Sequence, residues 1–467
     1  MEHKTLLYNA RLVDESMDRE HSALLIAGGT IEKILTDKEA APLVQAARQQ
    51  TTRQQEADPG RTGGDSHSGG NGSSAQLELF DAQGQVVMPA FIDMHAHFRD
   101  PGLTQKEDLA SGSRAAAAGG FGSLVLMPNT SPVISSQEAA LSNNRRGAEI
   151  GLAELFQSVS ITRDFGGTDI SQLEELDARL VPLITEDGHE VQDSAVMFQA
   201  MQIAAKKHII VSCHCEDPFL AAAARPLRTA ALAELAKGNR EEAAHLLARA
   251  DELLRLAEDT ATDRNIRLAA QAGCHLHLCH VSTARCLEAA VRAKKAGQDL
   301  SLEVTPHHIG LTGEAMPGIF NIVNPPLRAE EDRQALIEAL ISGDADAIAT
   351  DHAPHTDEDK RKGSPGFSGL ETAFAVCYTN LLLDSGMDLR TLSARMSAAP
   401  ARLLSLNDRG LLRAGCRADL VVVNPEQCWT VRGEAFQSRG KFSPWEGADL
   451  TGRVTATFHA GRKVYES

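Results

Sequence analysis

The fold that the sequence predicts is α/β: an eight-stranded (β/α) TIM-type barrel with a small β domain formed by the N- and C-terminal segments. Three observations predict it. Apolar runs of strand length alternate with helical patterns from Val86 to about Leu411, the signature of βα units around a parallel sheet. These runs number eight, which suits a closed barrel better than an open doubly wound sheet. Hairpin-like strands stand at both ends of the 467-residue chain, and no Gly-x-Gly-x-x-Gly follows an early strand, which disfavours a dinucleotide-binding sheet.

Taken in order, LLYNARLV and SALLIAGGTIEKIL read as short strands turning at Gly28-Gly29. ADLVVVNP, CWTV and GRVTATFHAGRKVYE are their counterparts at the other end. The division expected is therefore 1–88 and 412–467 for the small β domain, with 89–411 for the barrel. Within the first segment, residues 46–75 are dominated by Gln, Gly, Ser, Thr and Asp and cannot bury apolar surface. They are expected to form a disordered, dispensable insertion in which His67 is solvated. The barrel strands begin with VVMPAFIDMHA, read as one buried strand, and continue through SLVLMP, LAELFQSVS, LVPLIT, HIIVSCH, CHLHLCHV, LSLEVTP and DAIATD. DLASGSRAAAAGG and RQALIEALISG are helical partners.

A net charge of −17 argues against nucleic acid or an anionic membrane as partner, and 42% hydrophobic residues suffice for a large core. The start, MEHKTLLYNARLVDE, lacks the pattern of a signal peptide, and no stretch approaches the roughly 18 apolar residues of a membrane span. A cytoplasmic location is expected. Eight cysteines without regular spacing read as reduced thiols, with Cys213 and Cys215 as packing residues on either side of His214.

Polar residues recur at the strand ends, where barrels carry their chemistry. His95 and His97 lie two apart and so share one face of a strand. Arg99 follows them, and Asn129 follows the second strand. LVPLIT runs into Glu186-Asp187-Gly188, HIIVSC into His214, CHLHLC into His280, LEVT into Pro306-His307-His308, and DAIAT into Asp351-His352. A lone histidine at a strand end is more often structural. Histidine or aspartate at five or more of them is hard to explain by packing, because buried imidazoles and charges need partners. The set suits two zinc-like ions bridged by hydroxide. His275 and His277 alternate out of phase with His280 and are expected to face the helix layer. His307 and His308 are expected to support the site rather than ligate, His189 to be solvated, and His352 to point away from Asp351.

The segments FIDMHAHFRDPG, KEDLASGSRAAAAGGF, LMPNTSPV, EDGHEVQDS, HCEDP, HVSTA, EVTPHH, NPPLR, DAIATDHAPHT and SGLETA together resemble the amidohydrolase superfamily, and within it the class I bacterial dihydroorotases. The resemblance implies that one Zn2+ is held by His95, His97 and Asp351 and a second by His214 and His280, with Asp187 and hydroxide between them. It places substrate-binding positions at His97, Arg99, Asn129, Asn324 and His355, with backbone contacts near Pro365 and Gly366. Asp351 is the expected catalytic proton carrier, and Arg99 can grip a carboxylate with its planar fork. The reaction implied is interconversion of N-carbamoyl-L-aspartate and L-dihydroorotate in de novo pyrimidine biosynthesis. A homo-oligomer and an aspartate transcarbamoylase partner are further expectations. Residues 219–263 are longer and more helical than this segment usually is among those relatives. They are expected to form a helical hairpin on the barrel, or a cover or docking surface beside His214.

Two other readings compete. A hydantoinase or allantoinase would share fold and metals, but many such relatives bridge their metals with a carboxylated lysine, and Leu180 to Gly188 contains none. A non-catalytic scaffold for aspartate transcarbamoylase would have lost metal ligands, whereas every ligand position here is filled.

Overall fold

The computed structural model describes residues 4–57, 77–313 and 322–467. Strands β1 (Lys4–Asp14), β2 (Met17–Ala27) and β3 (Thr30–Thr36) form an antiparallel meander. Helix α1 (Asp37–Ala57) follows, and β4 (Leu77–Asp81) and β5 (Val86–Pro89) return parallel to β1. The expectation of disorder over 46–75 is thus corrected in its first part, since α1 runs to Ala57. Ala, Gln, Arg and Glu favour helix there, and Ala40, Leu43 and Val44 pack on Leu6 and Leu35 of the sheet. The rest of that stretch, with His67, lies outside the described residues.

The run read as one strand from Val86 is two. Val86–Pro89 pairs with strands of the terminal sheet, and only β6 (Phe91–Ala96) enters the barrel. Pro89 has no N–H to continue a ladder, and Ala90 donates its own to Asp419 O at 2.9 Å.

The barrel continues through β7 (Phe121–Leu126), β8 (Glu154–Gln157) with β9 (Val159–Ser160), β10 (Leu183–Thr185), β11 (Ile210–Cys213), β12 (Leu276–Leu278), β13 (Leu300–Val304) and β14 (Ala347–Ile348). All neighbouring pairs are parallel. β8 and β9 are one strand interrupted at Ser158, whose N–H goes to Leu126 O. The ring closes where His97 donates its N–H to His352 O at 2.9 Å, joining the first strand's end to the eighth's. Ile92, Met94, Val125, Leu183, Ile210 and Ala347, from five strands, meet in one apolar cluster closed by Ala401 and Leu404. Each such side chain stabilises the fold by about 1.5–3 kcal/mol relative to exposure.

Helices α2 (Leu109–Ala118), α3 (Gln137–Ile150) and α4 (Ser194–Lys207) follow their strands. After β11 come α5 (Pro218–Ala236) and α6 (Arg240–Ala272), packed together through Ala224, Ala250 and Leu254. α6 runs beyond 263, so its last turns are the barrel helix itself. Helix α7 (Ala284–Lys295) precedes β13, and α8 (Pro306–Gly310) and α9 (Glu330–Ser342) follow it. β15 (Leu420–Thr430), β16 (Asp449–His459) and β17 (Arg462–Glu466) complete the terminal sheet in the order β17-β16-β15-β5-β1-β2-β3, with β4 beside β1. The eight cysteines are unpaired, seven of them buried. Among the described residues no helix is long and apolar enough to cross a membrane.

Candidate metal and substrate site

The strand ends converge. His95 sits on the last turns of β6 and His97 just past it, their rings 5.2 Å apart. His95 Nε2 lies 3.3 Å from Asp187 Oδ1 and 3.7 Å from Asp351 Oδ1, and His97 Nε2 lies 3.0 Å from Asp351 Oδ1. His214 Nδ1 is 3.6 Å from Asp187 Oδ1 and 2.9 Å from His280 Nε2. His95–Asp187–His280 and His95–His97–Asp351 each bring three ligand atoms within 4.8 Å of one another. All six residues predicted as ligands are therefore buried around one point at the barrel mouth.

The tautomers are set from behind. Glu303 Oε1 sits 3.1 Å from His95 Nδ1, so that nitrogen donates and Nε2 carries the lone pair toward the centre. Asn129 Oδ1 does the same for His97 Nδ1 at 3.0 Å. His95 Nε2 and His280 Nδ1 are buried without a hydrogen-bond partner among the described residues. Such orphaned imidazole nitrogens beside carboxylates are what a divalent cation satisfies, so this donor set fits a metal. Against the cost of burial, the adjoining His95 and His97 hold the Asp187 carboxyl well below its usual range, and Cys279 and Asp187 raise His95 well above its own, so a proton competes with a cation for His95 Nε2. Burial and the neighbouring His214 and His95 push His280 down to about 3, leaving a neutral ring.

Backbone strain gathers at the same place. Arg99, His280 and Asp351 have φ of 57°, 33° and 47°, a left-handed region that non-glycine residues adopt only when their surroundings enforce it. The positive φ at His280 also explains a misread pattern. It breaks the strand's alternation, so parity counted back from His280 fails, and His277 does not face the helix layer. It is buried, with Nε2 3.0 Å from Glu303 Oε2 and Nδ1 2.8 Å from Ser301 Oγ, and Ser301 in turn meets His275. Cys279 likewise points inward, onto Ser212.

Five of the six predicted ligands, all but His95, border a cavity of about 250 Å³ that Arg99, Asn129, Asn324, His355, Pro365 and Gly366 also line. Arg99 is half-buried, has no ion-pair partner among the described residues, and its Nε is unpartnered, while its Nη1 stands 3.5 Å from Asn129 Oδ1. Asn129 has both arms engaged, its Nδ2 donating to Asp187 Oδ2 at 2.9 Å. His355 Nε2 meets Pro365 O at 2.8 Å, while Gly366 gives its N–H to Ile322 O. The carbonyl of Gly366 accepts from the buried Lys360 ammonium at 2.7 Å. His352 points away, toward Glu107, and His308 bonds Thr305 and Pro325. His189 is exposed and stacked on Phe165.

Sequence reasoning did not single out Glu303, Glu216 or Arg228. Glu303 had a signal: a glutamate inside the apolar strand LSLEV needs a buried partner. A larger cavity of about 680 Å³ lies by Tyr8, Val44 and Arg48, remote from this cluster and without convergent ligands among the described residues.

Residues 86–464 match the Amidohydrolase family. A dihydroorotase of Clostridium botulinum is 41% identical over 391 residues, covering 84% of this chain and 90% of the relative. One from Bacillus subtilis is 36% identical over 394 residues, covering 83% and 89%. Among solved structures, the L-hydantoinase (dihydropyrimidinase) of Arthrobacter aurescens superposes with a TM-score of 0.81 at 23% identity, over 100% of this chain and 96% of that one. That last likeness concerns the fold alone.

Proposed function

The chain belongs to the amidohydrolase family, and from that premise we propose that it is a dihydroorotase, interconverting N-carbamoyl-L-aspartate and L-dihydroorotate in pyrimidine synthesis. One observation carries the substrate reading. A half-buried guanidinium without a carboxylate partner among the described residues shares the small cavity with the histidine–aspartate cluster. A partly desolvated, unneutralised charge calls for an anionic partner, and dihydroorotate brings a carboxylate next to its cyclic amide. A hydantoin ring brings no such group.

Two zinc ions would be held here, one by His95, His97 and Asp351, the other by His214 and His280, with Asp187 available to both. When bound, they supply an acidified water and polarise the ring carbonyl. The chain does the rest. Arg99 grips the substrate carboxylate in two parallel hydrogen bonds and Asn324 donates a third, which aligns the reacting atoms. Asp351, held by His97, takes the proton that the attacking water gives up as its oxygen bonds the ring carbonyl carbon, and delivers it to the ring nitrogen as the C–N bond breaks; cyclisation runs the same path backward. Asn129 reaches substrate only by exchanging one of its bonds to His97 or Asp187. His355, Pro365 and Gly366 wall the ring. Chelator-sensitive consumption of dihydroorotate by the purified protein, with metal per chain measured on the same sample, tests this. Bound metal with turnover of a hydantoin instead would overturn the substrate, and absence of both metal and turnover would overturn the enzyme.

A further inference from the structure

The helical hairpin α5–α6 reaches the cavity through Arg228. Arg228, on α5, is largely buried and donates from Nη1 to Asn324 Oδ1 at 2.6 Å, and from Nη2 to Val323 O at 3.3 Å. Asp251 of α6 stands 3.7 Å from the same guanidinium. A second arginine, Arg328, ties the Asn324 segment to α6 by donating to Asp251 O and the Glu258 carboxylate, whereas Arg228 bonds cavity residues directly. Leu232 of α5 also abuts Gly363, in the loop that carries Pro365.

Arginine donates and never accepts. Its partner on Asn324 must therefore be the amide oxygen, and the amide nitrogen with its two hydrogens is left on the opposite side. The terminal torsion of a free asparagine is broad and roughly two-fold, so without this bond the amide would offer oxygen as readily as nitrogen. An oxygen facing an anion repels it. The short, charge-assisted contact removes that ambiguity.

We propose that Arg228 is a positioning residue for substrate: it locks the Asn324 amide with its N–H donors available to the substrate's anionic group, and so makes the α5–α6 hairpin part of the active site. This rests on the dihydroorotase reading for the identity of the anion. The polarity of Asn324 itself does not.

The test compares wild type, Arg228→Met, Arg228→Lys, Asn324→Ala and the double variant Arg228→Met/Asn324→Ala, each with melting checked. Arg228→Met should raise KM for dihydroorotate about 10-fold or more while kcat changes little, a loss of the size expected for one charged hydrogen bond. Arg228→Lys, keeping one donor, should recover part of it. The double variant should be no worse than Asn324→Ala, because Arg228 acts through that amide. Unchanged KM in folded Arg228→Met, a KM in Arg228→Lys no better than in Arg228→Met, or additive losses in the double variant would overturn the proposal. Selective ¹⁵N-asparagine labelling, with the Asn324 side-chain signals assigned from Asn324→Ala, reads the lock without turnover. If wild type leaves dihydroorotate untouched, the functional reading fails. Shifted Asn324 amide signals in the arginine variants would then still support the positioning role, and unshifted ones would overturn it.

Discussion

Glu303 Oε1 lies 3.1 Å from His95 Nδ1 in a wholly buried pair, and the other oxygen of the same carboxylate lies 3.0 Å from His277 Nε2. One carboxylate thus orients the imidazole of His95, a proposed metal ligand, from below and is itself held by a second histidine. Despite burial, those two histidines keep Glu303 down at about 2, so it remains an acceptor.

Glu303→Gln preserves shape but brings an N–H₂ that can face His95 and reverse its tautomer. Removing an outer partner of this kind costs roughly 10–100-fold in metal affinity. After dialysis the variant should hold less metal per chain than wild type, and added zinc should restore part of its turnover. Full retention of metal and activity would show that the carboxylate does not set the tautomer.

Asp351→Asn tests the proton carrier. An amide cannot take up and return a proton at neutral pH, so kcat should fall by about 10²–10⁴-fold or more. The main chain around Asp351 is held by the barrel closure at His352, so melting should change little. Near-normal turnover in that variant would refute the assignment.

Much of this was legible in the chain because strand ends are marked by their chemistry. His95, His97, Asp187, His214, His280 and Asp351 each follow an apolar run, and βα alternation places such residues at one mouth. What was not legible depends on pairing and on backbone conformation. Val86–Pro89 and Phe91–Ala96 form one apolar run in sequence, yet their hydrogen-bond partners lie in different sheets. His277 was placed on the wrong side because alternation assumes extended backbone, and His280 departs from it. Arg228 sits on a helix with little to mark it, and its importance appears only when the Asn324 segment folds against it.

Arg99 sets stability against binding. Burial pushes the guanidinium pKa down, no carboxylate pairs with it among the described residues, and its backbone is left-handed. Arg99→Met removes a half-buried unpaired charge and should raise the melting temperature while lowering kcat/KM for dihydroorotate by about 100-fold, the cost of a bidentate charged contact. Arg99→Lys keeps charge without the fork and should fall between. Unchanged kcat/KM in the methionine variant would remove the carboxylate grip from the mechanism.

Glu371, away from the metal cluster, gives the fold a pH dependence of its own. Burial raises its carboxyl from 4.5 to about 7, even though the backbone N–H groups of Gln437 and Ser438 donate to it. A carboxyl whose pKa is higher in the folded chain binds its proton more tightly there. Its contribution is fully present below pH 4.5 and disappears as pH rises through about 7. At about 1.4 kcal/mol per pH unit of displacement, the change is at most roughly 3.5 kcal/mol. Glu371→Gln keeps an acceptor oxygen for one of the two N–H groups and cannot titrate, so the comparison is of pH slopes rather than of absolute stability. Urea unfolding at several pH values between 5 and 7.5 should show wild type losing stability relative to the variant as pH rises. Parallel profiles for the two proteins would mean that the carboxyl is already ionised in the folded chain across that range.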